Sequence, residues 1–415
     1  MDSTVRAGAS WRDQVAVGDY PASLLLLTLT SALLPAYVVR WHIGFYPTTL
    51  LEAMIVLTSV AFAVESWKQK ALPAWRSSLA IPAAIFIVAG AISIAASPDH
   101  RAAAGLYRAY IVEPIALFLV AGNVVRSLGR VRLVVAGLCL GGLVVGASNL
   151  VIVVDAGIHH TLNVAVAPPV VIYQTLNAVA LFLVPLIAVT ASVALYAAGW
   201  ERLGAGAFAV AATVAALASF SRGGYLALTV VAVVLAAFHP ARRWLVSLLV
   251  VGAILVSRVP PIASRLGHEV DLADPNNSLA QRVRLWGATL RMLRDHPLFG
   301  SGLSGFKQSI GPYRGDYTEN LIYPHNLVLN FWTETGLLGV VAFIWILVAG
   351  ARLAWSGWQR GARAWRPYQL GVALALLAIV IHGLVDVPYW KNDLSAEFWI
   401  LLGLTWGGSF AATTK

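Results

Sequence analysis

Long apolar runs, each bounded by a short polar or basic stretch, dominate the chain. A run of about 20 apolar residues is enough for a helix to cross the hydrocarbon of a bilayer. Windows of that length fall near 22–39, 45–65, 79–96, 104–125, 131–154, 171–198, 204–220, 223–238, 243–259, 325–350, 367–387 and 394–412. Two of these, 204–220 and 223–238, are short and separated only by the turn Ser221-Arg222-Gly223-Gly224. The pattern lapses over 258–324, where the chain turns polar. It therefore predicts an all-α polytopic membrane protein of about twelve transmembrane helices. Helices 1–9 occupy 1–257, a large polar loop 258–324, and helices 10–12 occupy 325–415.

Composition agrees. Of 415 residues 59% are hydrophobic and only 12% charged, with a mean hydropathy of +0.76. That is too little charge to clothe a soluble protein of this length. The net charge of +10 would suggest nucleic acid in a soluble chain, but no basic stretch here is interleaved with exposed aromatics, so nucleic-acid binding is set aside. The basic residues instead mark sidedness. With both termini cytoplasmic, 16 of the 29 Lys and Arg residues fall on the inner segments and five in short outer loops; the other eight lie in 258–324. This is the bias that membrane insertion produces. The same alternation puts Arg222, the long loop, His325 and the turn Asp386–Lys391 on one outer face. Met1–Tyr20 carries Asp2, Asp13 and Asp19 without a strongly basic start, so the first apolar run reads as a retained helix rather than a cleaved signal. Cys139 is the single cysteine, and no intrachain disulfide is possible.

The long loop has a helix of its own. After Asp274-Pro275-Asn276-Asn277, Ser278 is placed to cap an amphipathic helix over Leu279–Asp295. Leu279, Val283, Trp286, Leu290 and Leu293 form its apolar stripe, with Arg282 on one edge and Arg284 and Arg291 on the other. Such a helix lies on the membrane surface or on the tops of the spanning helices, with its guanidinium groups at headgroup height. Residues 300–305 spell GxGxxG. No strand precedes them and no βαβ unit surrounds them, so this is a tight loop and not a dinucleotide fingerprint. Asn276-Asn277-Ser278 fits a glycosylation sequon, to which no weight attaches.

Three places carry candidate chemistry. Arg222 sits between two apolar segments, where a charge is costly unless it pairs or faces water, and Gly223 and Gly224 let a bulky ligand approach. His325, followed by Asn326, opens a membrane helix where an imidazole can take a proton from a hydroxyl. His382 and Asp386 are four residues apart at the outer end of another helix. Either they pair with each other, or Asp386 orients a basic group in the site. No metal-ligand spacing such as HExxH occurs, so a metal-independent mechanism without a cofactor is expected.

The ordered set Ser221-Arg222-Gly223-Gly224, Arg282 before Trp286, His296-Pro297-Leu298-Phe299-Gly300-Ser301-Gly302, and His325-Asn326 through Glu334-Thr335-Gly336-Leu337-Leu338-Gly339 resembles the O-antigen ligase/O-antigen polymerase superfamily. The resemblance covers roughly 170–412. It implies a glycosyltransferase of the bacterial inner membrane that takes a glycan from a polyprenyl-diphosphate donor. The acceptor would be the lipid A-core, a growing glycan or a protein side chain, so a repeat-unit polymerase and a protein O-glycosyltransferase remain open beside the ligase. It also implies that Arg222 and Arg282 bind the donor diphosphate, with Arg284 as a further position. His325 would be the base, and Asp386, His382 and Asn326 would support it. The rival of another class is a lipid or solute transporter, which would carry charges along a membrane pathway and often internal repeats; Glu52, Glu113 and Glu334 are the main buried acids, and no repeat is detectable.

Overall fold

The computed structural model describes residues 21–44, 46–163, 169–267, 277–315 and 322–411. The expectations for the first twenty residues, for the Asp274-Pro275-Asn276 turn and for the C-terminal end lie outside them. The molecule is built almost wholly of helices, and each of the twelve apolar segments falls on one. By length and composition, seven described helices can cross a membrane: Leu50–Lys68, His100–Val124, Leu128–Ile158, Leu176–Tyr196, Gly199–Ala218, Leu327–Arg360 and Arg366–Gly383. Ala22–Ala32, Ala80–Ala96 and Arg222–Phe238 are shorter apolar helices.

The helices Leu176–Tyr196, Arg366–Gly383 and Asn392–Ala411 form the centre, buried over most of their length. Between apolar helices in lipid the hydrophobic effect gives little drive, so close backbone approach matters more. The glycines serve that end. Gly371 abuts the backbone of Val189, and Gly403 lies against Ala121. At one end of this bundle Arg132 and Tyr368 converge on Glu201. At the other end the chain gathers His325, Asp386 and the starts of the helices at Leu176 and Arg222.

Three local features differ from the expectations. The segment expected to span from residue 45 begins instead with an antiparallel hairpin, Arg40–Ile43 with Tyr46–Thr49, paired Arg40 to Thr49 and Ile43 to Tyr46. Thr49 then caps the helix by accepting from the Glu52 amide at 3.1 Å, which delays the helix start to Leu50. In the loop helix Ser278–Asp295 the cap is Asn277, not Ser278; its side chain accepts from Ala280 N at 2.9 Å. The buried face of that helix is Leu285, Ala288, Thr289, Met292 and Leu293, with Leu285, Ala288 and Met292 packed on Phe306 and Ile310, while Leu279, Val283 and Leu290 stay exposed. The expected stripe is thus split, with Leu279, Val283 and Leu290 turned outward and Trp286 and Leu293 turned to the protein.

The third difference is a break in Leu327–Arg360 at Gly336, whose backbone (φ 66°, ψ −175°) is not helical. The break frees carbonyls and amides, which in a membrane must find new partners. The segment 298–304 supplies them: Ser301 N donates to Thr333 O at 2.8 Å, Leu337 N to Leu298 O at 2.9 Å, and Ser304 N to a Glu334 carboxylate oxygen at 2.6 Å. The GxGxxG stretch is thus a docking loop for a kinked helix. A side chain at 336 would need the left-handed region and would drive its Cβ into the Leu298 carbonyl. Gly336→Ala is expected to destabilise by about 1–3 kcal/mol from the backbone alone, with the collision added, read as a lowered Tm and reduced yield of folded protein.

Candidate functional site

His325 lies between Pro324, whose carbonyl accepts from Trp286 Nε1 at 2.9 Å, and Asn326, the cap of the next helix. The Asn326 side chain accepts from Leu329 N and donates to Leu384 O, both at 3.0 Å. Gripped on both sides, His325 adopts φ 48°, a left-handed conformation that a non-glycine residue holds only when its surroundings enforce it. The result aims Nδ1 at Asp386 Oδ1, 3.2 Å away.

Asp386 lies past the end of the helix Arg366–Gly383, in the turn that follows. Of the two arrangements open to it, the structure shows the carboxylate on His325. Its other oxygen accepts from Asn177 Nδ2 at 2.6 Å, and its own turn adds Val387 N at 2.9 Å. Burial alone would raise this carboxyl. The hydrogen bond from His325 and the charges of His325, His382 and Arg282 outweigh burial and hold it well below the usual carboxylate range. A depressed carboxyl contributes stability that is fully present above the ordinary carboxylate range and lost only as pH falls through the depressed value. Asp386 therefore stays charged throughout mild acidification.

Of the expected donor residues, Arg282 acts on this pair, Arg222 begins a helix that abuts His382 through Gly223, and Arg284 stands apart. Arg222 begins its helix behind the Ser221 cap. Gly223 lies so close to His382 that an added Cβ would sit 2.7 Å from its ring carbon and 2.9 Å from Val385. The start of the Arg222 helix thus lies beside His382 and Val385, the contact being made by Gly223. Arg282 is half-buried, is held by Ser278 Oγ at 3.0 Å, and acts on the charge of Asp386. Arg284, about 200° further round the same helix, is exposed and does not join that electrostatic group.

On its other side His325 opens onto a cavity of about 890 Å³, a size that accommodates a ligand as large as a drug molecule. Tyr37, Arg40, Tyr110, Lys307, Tyr323 and Lys391 are among the residues lining it. Tyr323 stacks edge-on against His325, with ring centroids 5.3 Å apart. Burial, with the Asp386 charge, pushes its phenol up to about 12, so it remains a hydrogen-bond donor. Lys391 sits over the Tyr173 ring at 4.9 Å. Burial lowers its ammonium, and the charges of Asp393 and Asp386 partly restore it.

Asn177, Tyr323, Asn330 and Trp390 went unnoticed in the sequence. Asn177 and Asn330 left a faint signal there, as amides in the first turns of apolar helices, where a polar side chain is unusual. Arg108 is bound to Glu52 at 2.9 Å and Glu113 at 3.0 Å, away from this group.

Residues 207–344 match a family model described as O-antigen ligase. This stretch is an O-antigen ligase-superfamily domain. It contains Arg222, Arg282, Arg284, His325 and Asn326, and members of this superfamily are membrane glycosyltransferases. Asp386, which pairs with His325, and Asn177 and His382, which act on Asp386, lie outside the O-antigen ligase match. A comparison with curated proteins finds no match to the chain.

Proposed function

We propose that the protein transfers a glycan from a polyprenyl-diphosphate donor to an acceptor hydroxyl by a metal-independent, inverting displacement. The observation that carries this reading is the His325–Asp386 pair at 3.2 Å, with Arg282 acting on Asp386 and a cavity beside His325. With Nδ1–H donated to Asp386, Nε2 keeps a lone pair for the acceptor O–H. The acceptor oxygen attacks the anomeric carbon as its proton passes to Nε2. The bond from that carbon to the diphosphate oxygen breaks, and the electron pair leaves with the diphosphate. Arg222 and Arg282 hold that leaving group, because guanidinium forks match phosphate oxygens and carry permanent charge. His382 and Asn326 support the geometry, while Arg284 serves the donor from the membrane surface.

In this reading the site faces the periplasm of a bacterial inner-membrane protein whose two ends are cytoplasmic, and the acceptor is the lipid A-core, as in an O-antigen ligase. A ladder of repeats, or glycosylated protein, among the products would reassign it to a polymerase or a protein O-glycosyltransferase. The test is transfer in proteoliposomes loaded with polyprenyl-diphosphate-linked glycan. Asp386→Asn leaves a neutral partner for His325, so its imidazolium loses its counter-charge. The expected cost is about 10²-fold in kcat, with little change in donor KM. Undiminished kcat in this variant would remove Asp386 from the mechanism.

A further inference from the structure

The cavity beside His325 is walled by two buried polar groups that the protein leaves unpaired. Asn330 is 1% exposed and Trp390 5% exposed. Among the described residues, neither the side-chain nitrogen and oxygen of Asn330 nor the indole N–H of Trp390 has a hydrogen-bond partner. Both residues line the cavity. A buried amide without partners costs about 1–3 kcal/mol, and a native chain seldom keeps one without a reason. Packing does not explain it, since an apolar side chain of the same size would fill the space at no such cost. The indole is fixed against Tyr110 and Phe331, with centroids at 5.9 and 5.2 Å, so its N–H cannot turn away to find a partner.

The unpaired set has a defined chemistry. An amide brings two donors and an acceptor oxygen, and the indole brings one donor, beside the phenol rings of Tyr110 and Tyr323. Such a wall suits the hydroxyls and apolar face of a sugar ring. Among the described residues the rest of the lining adds charge: Arg40, Lys307 and Lys391 against the acid Glu334, whose Oε2 is engaged by Ser304 N. We propose that this cavity receives the acceptor saccharide, that the acceptor carries a carboxylate or phosphate, and that Asn330 and Trp390 bind its hydroxyls while one more meets His325. This rests on the glycosyl-transfer reading, which makes the group facing His325 an acceptor.

Saturation-transfer NMR on the full chain in nanodiscs tests it, with methyl glucoside, methyl glucuronide and glucose 1-phosphate as probes. At least one of the two anionic sugars is expected to bind about tenfold or more tighter than the neutral one, and the arms tell carboxylate from phosphate. Asn330→Leu and Trp390→Phe should each weaken that binding about tenfold. Asn330→Leu should melt no lower than the parent, because it breaks no hydrogen bond within the protein; a merely structural asparagine would lose stability instead. Binding unchanged in both variants, or no preference for charge, would overturn the proposal. Failure of the transfer reading would show separately, as absence of glycan product from the unaltered protein.

Discussion

His325→Ala is expected to lower kcat for glycan transfer by about 10²–10⁴-fold and to leave donor affinity almost unchanged. Among the described residues the imidazole is the one group that both lines the cavity and is hydrogen-bonded to Asp386, so none of them inherits its proton. The variant should fold: alanine removes the ring from a half-buried position and leaves the Asn326 cap and the Trp286–Pro324 hydrogen bond in place. Single-turnover kinetics in proteoliposomes separate the two quantities, since loss confined to the chemical step appears as a slow rate at saturating donor. A raised donor KM with normal kcat would make His325 a binding residue. Near-normal transfer would exclude it from the reaction.

Alanine at Arg222 or Arg282 is expected to cost about 10²–10³-fold in kcat/KM, because each removes a permanent charge from the departing diphosphate. The double variant should lose less than the product of the two, since residues acting on one group couple. Lysine is the sharper substitution. It keeps the charge but gives up the planar fork, so Arg222→Lys should recover only part of the activity. Arg284→Ala, on the exposed side of the helix, should cost much less. Equal losses at Arg282 and Arg284 would mean that surface charge, not a positioned contact, is what matters.

Much of this molecule could be read in the chain, and the limits have physical causes. Helix positions were legible because lipid enforces long apolar runs. His325 and Arg222 stood out because charge and imidazole at a membrane rim are costly without a use, whereas Arg282 was singled out only by the family resemblance. The pairing of His325 with Asp386 was not legible, because it spans 61 residues and the nearer histidine, His382, competes for the same acid on any helical wheel. The helix simply ends at Gly383, which moves Asp386 off that wheel. The break at Gly336 was hidden too, since a lone glycine in an apolar run reads as helix until a loop 30 residues away supplies the missing partners. The loop helix had its face assigned by apolarity alone, and only Trp286 and Leu293 of that stripe turn to the protein, because the partners Phe306 and Ile310 come from a later segment and meet Leu285, Ala288 and Met292 instead. The cavity wall, drawn from Tyr110, Asn330 and Trp390, is wholly tertiary.

The most direct measurement is a cryo-electron microscopy structure of the full chain with a non-hydrolysable polyprenyl-diphosphate sugar. The diphosphate oxygens should lie within about 3 Å of guanidinium nitrogens of both Arg222 and Arg282, with the sugar's anomeric carbon between them and the cavity-facing nitrogen of His325. Diphosphate density seated instead on Lys307 and Lys391 inside the cavity, or at the Arg132–Glu201 end of the bundle, would contradict the account.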